Sequence, residues 1–268
     1  MKHKGLIFGL SVITIAALAG LLASWISPQD PEVFDLASRL SAARPGHFLG
    51  FDEEGRDLLS LILWGARVSL IVSILTVAIS SALGTLIGLT AGYFGGKYDS
   101  LFTFVSDVFL SFPSILLMIA LAAFYRQGGL MTIVVILSVV GWVGYARVVR
   151  GQVMSLKERD YVKASIAAGA STARIWVKHL VPNLLAPLLV QATFGMAGVI
   201  LAESTLSFLG LGVGGDVPTW GRLIDQGVQY LLVAPHIALY PGLAIAFVIL
   251  GFNFLGDGLR DFLDVKET

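Results

Sequence analysis

Residues 160–183 read DYVKASIAAGASTARIWVKHLVPN. The stretch is charged, rich in small residues, interrupted by Gly169 and closed by Pro182, within a chain otherwise built for lipid. Its apolar positions Val162, Ile166, Ala170, Ala173, Val177 and Leu180 keep a three-to-four-residue spacing, the period of one helix face. Gly169 is a natural helix stop within that pattern. The spacing predicts two short amphipathic helices with charges on their remaining faces, a shape that can lie in a partner's groove.

The surroundings set the class. Of 268 residues only 13% are charged, against roughly 25% in soluble domains. Mean hydropathy is +0.83, and apolar runs long enough to cross a ~30 Å hydrocarbon core recur along the chain. The reading is an all-α integral membrane protein, because strand-period alternation is absent. A formal net charge of zero argues against nucleic acid as a partner. With no cysteine, thiolate catalysis, disulfides and zinc–thiolate sites are excluded.

Six spans are predicted: 5–26, 68–93, 103–124, 129–149, 184–206 and 239–259. The first follows Lys2 and Lys4 and has a longer apolar core than a signal peptide, so it reads as an uncleaved span, although Ala17-Leu18-Ala19 offers a small-residue cleavage site. Basic residues set the orientation. Arg147, Arg150, Lys157, Arg159, Lys163, Arg174 and Lys178 gather around the 150–183 segment. Residues 27–67 are instead rich in Asp and Glu. Lys2, Lys4, Lys97, Arg260 and Lys266 fall on the basic side. The expectation is that both termini and the 150–183 loop are cytoplasmic, and that the two long acidic stretches (27–67 and 207–238) are external. Burying the nine charged residues between 147 and 178 in lipid would cost upwards of ~20 kcal/mol on insertion scales, so this segment is a loop outside the bilayer.

Inside the spans, Ser80, Gly84, Gly88 and Gly92 stand at four-residue spacing, which lets another backbone come close, either within the chain or at a subunit interface. Pro113 is expected to kink the third span. Two carboxylates, Asp107 and Glu203, lie near span ends. Each either faces a translocation path or reaches the interface and is solvated. No P-loop, H-E-x-x-H or G-x-S-x-G pattern occurs. FLGLGVGG at 208–215 lacks the strand–turn–helix context of a phosphate cradle and reads as an irregular turn. The residues therefore point to no catalytic centre and no cofactor of the chain's own.

The opening stretch resembles the EAA loop of binding-protein-dependent ABC importers. Asp160, Tyr161, Val162, Ala164, Gly169, Ala170, Ser171, Ile175, His179, Pro182 and Asn183 match that motif. Lys163 stands where the motif has Glu, and Ser165 where it has the second Ala. HFLGFDEEGRDLLSLILWGARVSL (47–70), LAESTLSFLGLGV followed by PTWG, and FNFLGDGLRDFLD are similar to segments of the dipeptide, oligopeptide and nickel permeases of the second type. In the first of these, Phe51 replaces a Thr and Leu61 an Arg.

The resemblance implies a type I importer permease, with a first helix and external segment (1–67) and a five-helix core (68–268). It implies a second homologous permease, two cytoplasmic ATP-binding subunits and an external solute-binding protein as partners. Peptides are the implied cargo, with nickel or another metal chelate as the alternative. An ion-driven secondary carrier is a competing class, but its expected internal repeats and midplane ionisable residues are not evident.

Overall fold

The structure is a computed structural model that describes residues 2–125, 128–214 and 217–264. Gly215 and Lys266 lie outside the described residues. Eleven α-helices are described: α1 Lys2–Leu21, α2 Ala23–Ile26, α3 Leu58–Phe94, α4 Gly96–Ser111, α5 Ser114–Phe124, α6 Leu130–Leu156, α7 Asp160–Ala167, α8 Thr172–Ile175, α9 Val181–Phe208, α10 Trp220–Val228 and α11 His236–Asp264. No strand occurs among the described residues, only two isolated bridges. Five helices are long and apolar enough to span a membrane, and a sixth span results if α4 and α5 count as one.

Pro113 does more than kink that sixth span. α4 and α5 meet at 85°. Proline removes a backbone donor and blocks the preceding turn, and Phe112 ahead of it adopts an extended conformation.

The first span, predicted as 5–26, is broken after Leu21, whereas the other helices reach or overrun their predicted spans. α3 begins at Leu58, not at 68, because Asp57 caps it by accepting from the Ser60 amide at 2.8 Å. α6 continues to Leu156 rather than ending near 149. Helical backbone runs from Thr172 through Phe208, so the loop at the basic end is far shorter than 150–183. The physical reason is that charges mark where lipid ends, whereas a helix continues wherever its backbone bonds propagate.

α3 and α6 form the centre. They run parallel along the stripe of small residues in α3. A side chain at Gly84 would press within 2.6 Å of Tyr145 Cβ, at Gly88 within 2.6 Å of the Ala146 carbonyl, and at Gly92 within 2.9 Å of the Arg150 carbonyl. The stripe is therefore an intramolecular contact. α1 lies antiparallel along α11, where Gly9, Gly251 and Gly258 permit a similarly close approach.

At the acidic end, residues 27–57 are folded rather than loose. Buried Asp52 accepts from Arg56 Nε at 2.7 Å and from the amides of Glu54 and Arg56. Asp57 also bonds His47 Nδ1 at 2.9 Å. The amphipathic α10, which falls in a stretch expected only to be polar, anchors Trp220, whose indole donates to the Ile62 carbonyl at 3.0 Å.

Candidate coupling hairpin and membrane cavity

At the basic end α7 and α8 form a hairpin. Asp160 opens α7, where a carboxylate complements the helix dipole. The turn after Ala168 closes with two bonds, Gly169 amide to Ile166 carbonyl at 2.9 Å and Ala170 amide to Ser165 carbonyl at 3.1 Å. That is a Schellman arrangement, and Gly169 takes the left-handed conformation it requires, with φ of +79°. Ser171 then caps α8 by accepting from the Arg174 amide.

α8 passes through a π-helical turn, Trp176–Leu180, into α9. Pro182 in the first turn of α9 has no amide to donate, and the wider turn just before it accommodates that loss. Asn183 Nδ2 donates to the His179 carbonyl at 2.6 Å, and the His179 ring lies 5.9 Å from that of Tyr161.

Val162, Ile175 and Leu180 are fully buried against Leu89, Val149, Val153 and Leu184. These contacts tie the hairpin to the ends of α3, α6 and α9. The apolar period is not all inward, however. Tyr161, Ile166 and Val177 face outward at 45%, 46% and 70% exposure. Asp160, Lys163, Ala164, Pro182 and Asn183 are exposed too. Lys163 pairs with Glu158 at 2.9 Å. Its hydrogen bond holds the Glu158 carboxyl below the ordinary range, and the carboxylate holds the Lys163 amine above its own. Beside the turn is a hollow of about 270 Å³ lined by Ser165, Gly169, Arg174, Lys178 and His179 among others.

Between α3, α5, α6 and α9 lies a larger cavity of about 480 Å³. Ser80, Ser114, Tyr145, Gln191 and Thr205 supply its polar atoms amid apolar walls. Neither predicted carboxylate lines it. Glu203 is fully enclosed on another face of α9, where Ser69 Oγ donates to it at 3.1 Å and Ser207 Oγ at 2.7 Å. It is thus not the solvated interface residue that its place near a span end allowed. Asp107 is exposed on α4 and pairs with Arg147 at 3.0 Å. Tyr145 and Gln191 were not singled out from the sequence. Gly195 was the available signal: a tyrosine opposite a glycine has room to extend, but only tertiary structure reveals which glycine is opposite.

The profile of the family described as binding-protein-dependent transport system inner membrane component matches residues 84–267, more than half the chain. The chain belongs to this family. It is 39% identical over 265 residues to the dipeptide transport system permease protein DppC of Alkalihalophilus pseudofirmus, covering 99% of this chain and 87% of the relative. It is 36% identical to the oligopeptide transport system permease protein OppC of Haemophilus influenzae, covering 99% and 86%. Identity is also 36% to the glutathione transport system permease protein GsiD of Pectobacterium atrosepticum, covering 99% and 88%. Among solved structures, an inward-facing form of the MetNI methionine ABC transporter matches with a TM-score of 0.60 and 21% identity, covering 76% of this chain and 96% of that one. The fold is that of a type I importer permease, and this family member is a multi-pass inner-membrane transport component.

Proposed function

We propose that this permease carries di- and oligopeptides inward across the cytoplasmic membrane as one half of an ATP-driven translocation unit. The names of its relatives, which concern dipeptides, oligopeptides and glutathione, support that cargo. In this reading a second homologous permease completes the path, two cytoplasmic ATP-binding subunits supply the energy, and an external solute-binding protein delivers the peptide. Both termini and the hairpin face the cytoplasm. The chain performs no hydrolysis.

The observation that carries the coupling role is the two-sided hairpin. Val162, Ile175 and Leu180 fasten it to the bundle, while Tyr161, Ile166 and Val177 stay exposed on a charged element outside the lipid. Such outward apolar residues suit a partner's groove. Because α8 runs through the π turn into α9, a push on the hairpin tilts α9, one wall of the cavity. ATP binding on the partners would then open the cavity to one side and close it to the other.

The test is reconstitution in proteoliposomes with the partner permease, ATP-binding subunits and binding protein, measuring labelled peptide uptake and ATP hydrolysis together. Uptake that requires ATP and all three partner types is expected. Uptake of a nickel chelate in place of peptide would overturn the cargo. Transport driven by an ion gradient without ATP-binding subunits would overturn the class.

A further inference from the structure

The cavity between α3, α5, α6 and α9 has an uncharged wall. None of its described lining residues is Asp, Glu, Lys, Arg or His. Its polar character rests on hydroxyls and one amide, and two of those hydroxyls are unmet. Tyr145 is 4% exposed and Ser80 2%, and neither hydroxyl has a hydrogen-bond partner among the described residues. An unmet buried polar group carries a desolvation cost, and such groups in a folded protein call for an explanation.

The Tyr145 position is built. Its ring extends from α6 to α9, and its hydroxyl lies against Gly195, another lining residue, where any Cβ would overlap it. Ser80 lies across from Gly141, where an added Cβ would stand 3.0 Å from the serine oxygen. Two glycines thus leave space for two hydroxyls on one neutral wall. Gln191, on α9, adds an amide to the same cavity.

We propose that Tyr145, with Ser80 beside it, is a backbone-reading site. Its hydroxyl exchanges a hydrogen bond with the amide group of a passing peptide, while the uncharged apolar wall is indifferent to the peptide's side-chain charge. A cavity of this volume falls in the range of small-ligand sites. Because the hydroxyl is buried against Gly195, this reading requires α6 to part slightly from α9 during transport. The assignment rests on the peptide-carrying reading above and adds to it which chemical feature of the peptide this chain recognises.

The experiment compares a dipeptide with its ester analogue, which lacks the amide N–H and has a weaker carbonyl acceptor. Both are supplied through the same binding protein to the reconstituted complex, so selection by that protein cancels between variants. Tyr145→Phe keeps the ring and removes the hydroxyl. The parental complex is expected to prefer amide over ester, and Tyr145→Phe to reduce that preference about two- to twelve-fold, the worth of one hydrogen bond. Gly195→Ala, which displaces the ring, should reduce it likewise. Peptides with acidic, basic and neutral side chains should be affected equally by Tyr145→Phe. An unchanged amide-to-ester ratio in Tyr145→Phe, with peptide uptake intact in the parent, overturns this assignment alone. Absence of peptide uptake in the parental complex removes the functional reading and this site with it.

Discussion

Replacing Gly169 isolates a single energetic effect. Its φ is +79°, yet a Cβ built there meets nothing within 4 Å. Substitution therefore clashes with no neighbour, and its whole cost within the chain is conformational. For an L-residue the left-handed region costs roughly 1–2 kcal/mol, least for Asn and most for β-branched residues. Gly169→Asn should thus cost under about 1 kcal/mol, Gly169→Ala about 1 and Gly169→Val about 2. The turn aims α8 relative to α7, so this energy is subtracted from the population of correctly shaped hairpin. An increment of 1–2 kcal/mol is a factor of about 5–30 in an equilibrium constant. Affinity of purified ATP-binding subunits for the permease pair in nanodiscs should fall in the order Gly, Asn, Ala, Val, with peptides moved per ATP falling alongside. Membrane insertion should be unchanged, since the proposed topology puts the turn outside the lipid. Parental affinity and uptake in Gly169→Val would refute the coupling role. Equal losses for Asn and Val would refute the backbone argument and point to direct contact with a partner.

Other consequences are equally direct. Gly88→Val forces a side chain against the Ala146 carbonyl and Val149, an overpacking cost of about 1–3 kcal/mol, and should lower the melting temperature of the purified complex. Gly144→Ala, whose added methyl meets only Gln191 Nε2 at 3.6 Å, should leave that temperature unchanged. Glu203→Leu strands the Ser69 and Ser207 hydroxyls and should destabilise the complex by about 1–3 kcal/mol, whereas Glu203→Gln retains hydrogen-bonding atoms and should assemble normally. Equal melting of the two Glu203 variants would show that the serines are not held by that side chain. A single cysteine at Glu54 should react with an impermeant thiol reagent on intact cells, and one at Thr172 only after the membrane is opened. Labelling at Thr172 in sealed cells would reverse the orientation.

Much of this protein was legible in its sequence because lipid imposes simple rules. A span needs about 20 apolar residues, so hydropathy located the membrane helices, including the third, and Pro113 announced its break. Gly169 announced the hairpin turn, since few residues take positive φ easily. Ser80, Gly84, Gly88 and Gly92 announced a close helix contact, because small residues on one face leave room for a backbone.

What tertiary structure alone decided depends on partners distant in the chain. The stripe did not reveal that α6 would fill it, nor did a carboxylate near a span end reveal two serines around it, one of them 134 positions away. Ile166 and Val177 share a period with Val162 and Leu180, yet they stand outward in the folded hairpin while the other two are buried. Tyr145 became a candidate site only once Gly195, 50 positions later, stood opposite it. Periodicity records which residues share a face, but the crossing of helices decides what that face meets.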